Sequence, residues 1–308
     1  MAAPTETSVT LNACCKVNLF LRIICRRSDG YHEIKTLFYP LPEPHDSLLV
    51  TPLTAGSGLH LTCSRKELET GSNLVAKTYA AFASRTGFSP GLSIHLEKRI
   101  PTGAGLGGGS SDAAVLLAYL NDLAGEQALS TADMTALAAS LGADVPYFLL
   151  HGRHGKPALA TGIGESLFPI QVDLDGYWLV LVCPPEHVST PWAYGAWDRL
   201  YPEKTCSEED LAILTATNQE ASNLFCPETT ALGNDFEAAV FPAFPELAKV
   251  KDELLDRSAA HAVMSGSGAA IFALYRDADI AKSAQLAFLG RSVPAYAFPL
   301  PCWGVAKW

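Results

Sequence analysis

The stretch that most restricts this chain reads Pro101-Thr102-Gly103-Ala104-Gly105-Leu106-Gly107-Gly108-Gly109-Ser110-Ser111-Asp112-Ala113-Ala114. Its five glycines lack β-carbons, so backbone N–H groups can converge there on an anion. Upstream, Leu92, Ile94 and Leu96 alternate with Ser93, His95 and Glu97, the period of a half-buried strand ending near Lys98-Arg99-Ile100-Pro101. Downstream, Val115, Leu116, Tyr119, Leu120 and Leu123 recur at helical spacing, with Ser110, Ser111 or Asp112 as the cap and Gly125 just past the end. Strand, glycine loop and helix in this order aim first-turn amides and a positive dipole end at one spot, which suits phosphate. A tight turn kept clear for packing explains two or three glycines but poorly explains five beside three polar capping residues.

Two familiar phosphate loops do not fit. Gly103-x-Gly105-x-x-Gly108 satisfies the dinucleotide pattern, and Asp122 falls near the spacing of a ribose-binding acid. Such an acid ends a second strand, however, whereas Asp122 lies at the tail of a helix, and a further helix over 130–141 follows, opened by a Ser130-x-x-Asp133 box. A Walker loop requires Gly-Lys-Ser/Thr. No lysine lies between Pro101 and Asp112, so any cation for the phosphates must come from elsewhere in the fold.

With 48% hydrophobic and 18% charged residues among 308, the chain can bury a large core and suggests two domains. A net charge of -10 argues against non-specific binding to nucleic acid or anionic membranes. The N-terminal segment has no signal-peptide pattern and no apolar run reaches membrane-spanning length, so the expected location is the cytoplasm. Eight cysteines stand without Cys-x-x-Cys pairs, which indicates no zinc site and predicts reduced thiols throughout.

Glycines 152, 155, 162 and 164 cluster where a domain boundary is expected, between His151 and Asp175, ahead of a buried strand over 177–183. The expected division is 1–160 and 161–308. Helices over 191–200 and 243–255 and a strand pair enclosing Ser265-Gly266-Ser267-Gly268 follow. Strands and helices do not alternate regularly, so the fold class is α+β rather than doubly wound.

In the first strand Val17, Leu19, Leu21 and Ile23 share one face, which puts Lys16 and Asn18 on the other. On this strand alone a solvated lysine is the simpler reading. The turn at Asp29-Gly30 would expose Tyr31 and His32, a pair suited to a flat heterocycle and equally tolerated on a surface hairpin. Asp144, two residues before Pro146, is locally most simply a helix N-cap. Its functional alternative, a carboxylate beside Lys16 that deprotonates an attacking hydroxyl, needs a proximity that spacing does not show.

Taken together, Cys15-Lys16-Val17-Asn18-Leu19, Asp29-Gly30-Tyr31-His32, the loop from Pro101 to Ala114, Gly142-Ala143-Asp144-Val145-Pro146 and Ser265-Gly266-Ser267-Gly268 resemble, in that order, the GHMP kinases. The Asp-Gly-Tyr-His element resembles the branch of that family acting on a diphosphocytidyl methylerythritol. The resemblance covers nearly the whole chain. It implies a two-domain fold with the nucleotide cleft between the domains, ATP as co-substrate with Mg²⁺, and transfer to the hydroxyl at carbon 2 of a small cytidyl alcohol. By the same resemblance Pro101, Thr102, Gly103, Ala104, Gly105, Leu106, Gly107, Gly108, Gly109, Ser110 and Ser111 hold the phosphates, and Lys16 and Asp144 form the catalytic pair. Asn18, Tyr31, His32, Thr190 and Tyr194 face the cytidyl substrate. Asn73 to Lys77 and Lys98 lie near the adenine, and Ser265 to Gly268 close the cleft. The chain departs from the family at Cys14 and Cys15, where small or cyclic residues are usual; Cys15 is expected to pack as a small hydrophobe and, if exposed, to react with thiol reagents. The alternatives are a kinase for homoserine, mevalonate or a sugar, a silent nucleotide-binding protein, and a dehydrogenase.

Overall fold

Long runs of alternating and β-branched residues on either side of Asp29-Gly30 fold into two strands, β1 (Val9–Arg26) and β2 (His32–Pro52), paired antiparallel. The computed structural model describes residues 7–202, 204, 206, 225–228 and 232–301. Strands β3 (Leu59–Cys63), β4 (Leu92–Glu97), β5 (Ala158–Thr161) and β6 (Ser166–Pro169) extend the first sheet. A two-residue strand, β8 (Gly233–Asn234), joins its β1 edge in parallel, giving the path β3-β4-β2-β1-β8 with β5 and β6 attached to β2. A second sheet of four strands runs in the order β11 (Ala295–Pro299), β7 (Trp178–Val182), β10 (Ile271–Tyr275), β9 (His261–Met264).

Helices α1 (Leu74–Thr86), α2 (Gly108–Leu123), α3 (Thr131–Leu141) and α4 (Val145–Leu150) bury their apolar faces on the first sheet. Helix α3 opens as its sequence predicts, with Ser130 Oγ accepting from the Asp133 amide at 3.2 Å. Helices Pro245–Asp256 and Ala278–Leu289, with α5 (Thr190–Leu200), cover the second sheet. Between the sheets, Val17, Leu19 and Leu37 of the first meet Leu179, Leu181, Phe272 and Leu274 of the second. A chain with two sheets and segregated helices is α+β, as expected.

Strand β1 does not keep one apolar face. A register shift between Asn18 and Phe20 turns Leu21 and Ile23 away from Val17 and Leu19 and into the core under α5. This irregularity lets one strand serve both cores.

The expectation of uniformly reduced thiols is corrected. Cys25 and Cys206 form a disulfide between the end of β1 and the segment after α5. Backbone bonds from Arg26 N to Lys204 O (2.9 Å) and from Cys206 N to Arg26 O (3.3 Å) lay the two segments side by side, an adjacency across 181 residues of chain that cysteine spacing cannot reveal. Cys302 lies outside the described residues. No helix among the described residues is long and apolar enough to cross a membrane.

Candidate active site

The glycine loop joins β4 to α2, but the helix starts earlier than its serines suggest. Gly107, at φ +73°, is the N-cap and the helix begins at Gly108 with no side-chain cap, so Ser110, Ser111 and Asp112 stand inside it. A left-handed glycine turns the chain without a capping oxygen, which leaves the first-turn amides open. Gly105, also at φ +73°, sits so close to the second glycine turn that a β-carbon would lie 2.0 Å from Ser265 O. The loop's carbonyls are held from behind. Ala104 O accepts from Ala270 N (3.1 Å), Gly105 O from Lys16 Nζ (2.9 Å) and Ser265 Oγ (3.0 Å), and Leu106 O from Lys16 N (3.0 Å). Among the described residues the amides of 103–107 donate no hydrogen bond, the arrangement of an anion-binding turn.

Lys16 is buried, and so is Asn18. The Lys16 ammonium donates to Asn18 Oδ1 at 2.7 Å and lies 3.6 Å from Asp144 Oδ2. Burial pulls its pKa below the ordinary lysine value, and the Asp144 carboxylate opposes that shift. Asn18 is fixed in turn, donating to Thr36 Oγ1 at 2.7 Å. Asp144 occupies the N-cap position of α4 yet makes no capping bond, so its carboxylate is spent on Lys16 and not on the helix. Cys15, beside the lysine, is fully buried, and burial pushes its thiol pKa well up; it packs as a small hydrophobe and offers no exposed nucleophile.

Lys16, Asn18, Asp144 and the residues from Pro101 to Ser110 line a cleft of about 960 Å³, which also takes in Tyr31, His32, Asn73, Lys98, Thr190, Tyr194, Gly266 and Ser267. Ser111 is buried behind the loop. The turn exposes Tyr31, at 60%, but not His32, which is 5% exposed. Tyr194 stacks on the His32 ring at 4.4 Å, Trp197 meets its edge, and His32 Nε2 lies 2.6 Å from Asp198 Oδ1. Tyr194 therefore packs first on the histidine. Thr190 Oγ1 bonds Ser267 Oγ at 2.8 Å, linking α5 to the second glycine turn.

Asn73 caps α1 by accepting from Val75 N at 2.9 Å, while Lys77 does not line the cleft. The Lys98 ammonium is engaged by Asp46 and by Asp112, the latter at 2.8 Å. Burial works to lower the Lys98 pKa, but the two carboxylates outweigh it and hold the value above the ordinary one.

Sequence reasoning missed Asp46, Asp198 and the run Asn234-Asp235-Phe236-Glu237. Asn234 Nδ2 donates to Met264 O (2.6 Å) and Gly266 O (2.7 Å), Asp235 Oδ2 accepts from Ile23 N (2.8 Å), and Glu237 Oε1 accepts from Met264 N (2.9 Å). Short polar side chains in a brief apolar setting signal backbone bonding of this kind, but nothing in the run names the distant partners.

A buried lysine and a carboxylate facing an amide-lined glycine loop suit phosphoryl transfer. Residues 73–152 match the GHMP kinases N terminal domain and residues 216–293 the GHMP kinases C terminal region. The "4-diphosphocytidyl-2-C-methyl-D-erythritol kinase" of Solidesulfovibrio magneticus is 48% identical over 93% of this chain and 95% of its own, and that of Nitratidesulfovibrio vulgaris 43% over 94% and 98%. A crystal structure of 4-(cytidine 5'-diphospho)-2C-methyl-D-erythritol kinase matches with a TM-score of 0.72 at 36% identity, covering 94% of this chain and 98% of that one. Homoserine kinase from Cytophaga hutchinsonii shares the fold, with a TM-score of 0.67 at 19% identity over 97% and 96%. The chain belongs to the GHMP kinases and, within them, to the 4-diphosphocytidyl-2-C-methyl-D-erythritol kinase family.

Proposed function

We propose that the chain phosphorylates the 2-hydroxyl of 4-diphosphocytidyl-2-C-methyl-D-erythritol with ATP, giving the 2-phosphate and ADP in the non-mevalonate isoprenoid pathway. The observation that carries this reading is the 3.6 Å approach of Lys16 to Asp144 at the rim of the glycine loop, in one cleft with Tyr31 and His32. The acceptor is a tertiary alcohol, crowded and barely ionised at neutral pH. Asp144 takes its proton as the oxygen attacks the γ-phosphorus, the bond to the β,γ-bridging oxygen breaks, and ADP leaves. Lys16 keeps that carboxylate ionised and offsets charge on the attacking oxygen. Pro101 to Ser111 hold the phosphates, with the backbone amides of 103–107, which donate to no other group among the described residues, as the donors. At the far end Tyr31, His32, Thr190 and Tyr194 hold the cytidyl group, with Asn18 between the two ends, and Asn73 and Lys98 border the adenine.

Mg²⁺ would enter with the phosphates. Asp112, which borders the cleft, has its Oδ1 buried without a hydrogen-bond partner, and such a hard oxygen fits this ion or its waters. When bound it neutralises phosphate charge. The proposal places the enzyme in the cytoplasm, with its two parts meeting near residue 160.

The test is to incubate the purified protein with MgATP and, separately, the diphosphocytidyl alcohol, homoserine, mevalonate and galactose, following ADP. Turnover confined to the first supports the assignment, and turnover of another acceptor alone replaces it.

A further inference from the structure

Asp46 belongs to no motif, does not line the cleft, and is completely buried on β2. Its Oδ1 accepts from two successive amides, Arg99 N at 2.6 Å and Ile100 N at 2.8 Å, where the chain leaves β4 for the glycine loop. Its Oδ2 meets Lys98 Nζ, which reaches on to Asp112 Oδ2 in the first turns of α2. One carboxylate thus ties the entry of the loop to its exit. The exit also passes close to it: a β-carbon added to Gly108 would lie 2.8 Å from Ile100 Cγ2 and 3.3 Å from Asp46 Oδ2.

Two carboxylates and one ammonium buried together are an expensive way to fill space, because apolar residues of the same volume often stabilise a fold better. The group also holds one more acid than base behind a loop meant for a triphosphate. Its geometry suits a brace for the loop better than a device for stability.

We infer that Asp46 is a positioning residue for ATP: without touching the nucleotide, it holds the two ends of the glycine loop in register so that the loop amides converge on the phosphates. The inference rests on the ATP-dependent kinase reading above.

The test titrates wild type and Asp46→Asn by calorimetry with the Mg²⁺ complex of a non-hydrolysable ATP analogue and, separately, with cytidine 5'-diphosphate, alongside steady-state kinetics. Asparagine can still accept from the two amides but presents an N–H group to Lys98. The expected result is about a tenfold or greater loss of nucleotide affinity and a matching rise in KM for ATP, the size of effect of a buried polar group left mispaired. Affinity for cytidine 5'-diphosphate stays within about twofold under the same principle. A lower Tm with both affinities unchanged, or equal losses for both ligands, overturns the inference by reducing Asp46 to a structural ion pair. A wild-type protein that binds no ATP analogue defeats the kinase reading instead.

If the variant does not fold, amide hydrogen exchange on wild type decides. Arg99 and Ile100 amides protected before nucleotide is added support a preset loop; amides that become protected only on nucleotide binding overturn it.

Discussion

Lys16 and Asp144, one from the first strand and the other from the turn before α4, meet at 3.6 Å beside a loop whose carbonyls the same lysine helps to hold. The lysine therefore does two things at once: it pairs with the acid and shapes the anion site. Replacing Asp144 by Asn keeps size and removes the proposed base. The expected outcome is a fall in kcat of about 10²–10⁴-fold, with calorimetric affinities for both substrates retained. Near-normal turnover would exclude Asp144 as the base.

Lys16 is charged in this scheme, and burial has lowered its pKa from the ordinary lysine value. A lowered pKa means that the ammonium is lost on the alkaline side earlier than for an exposed lysine, so kcat falls there as the pH rises. Lys16→Met is expected to abolish that alkaline limb along with most activity, whereas a limb that survives in the residual activity must belong to another group. The pH profile of kcat for both proteins checks this.

Asp198 anchors His32 through a 2.6 Å contact and also lies 3.6 Å from Arg26. A hydrogen bond to a charged group contributes about 1.5–3 kcal/mol, so Asp198→Ala is expected to raise KM for the cytidyl substrate by about 10–100-fold. KM for ATP should not move. An equal rise in both constants would argue that α5 has shifted as a whole.

Gly105 has a left-handed backbone and no room for a methyl group, with Ser265 O 2.0 Å from the position a β-carbon would take. Gly105→Ala is expected to separate the two glycine turns and to cost more than about 1 kcal/mol. Thermal unfolding with and without the ATP analogue measures this, and a variant stabilised by the nucleotide as strongly as wild type would refute it.

The Cys25–Cys206 bridge closes a long loop. Non-reducing peptide mapping should recover the two cysteines as one linked fragment. Reduction should lower stability by about 2–4 kcal/mol, measured by denaturant unfolding.

The glycine loop was legible from its residue types, whereas Lys16, Asn18 and Asp144 stood out only through the resemblance of their runs to the GHMP kinases, since locally a solvated lysine and a helix cap were the simpler readings. What the run could not carry was the meeting of Lys16 with Asp144, which depends on how β1 packs against the turn before α4. Local rules misplaced the start of α2, where a left-handed Gly107 displaces the polar cap that the serines suggested. His32 read as exposed beside a turn, but α5 folds over it and brings Tyr194, Trp197 and Asp198 around the ring. Asp46 left no signal at all. An isolated aspartate in a strand looks like surface until the amides of Arg99 and Ile100 and the Lys98 ammonium arrive from elsewhere in the sheet.

Strand β1 carries Lys16 beside the glycine loop, then Asn18, and reaches Arg26, which pairs with His32 of β2, at its far end. Because both stations lie on the paired strands β1 and β2, the proposed assignment makes the separation between the reacting hydroxyl and the cytosine a built-in gauge. An analogue with one phosphate removed between sugar and alcohol would still dock its base, yet its hydroxyl would stop short of the acid.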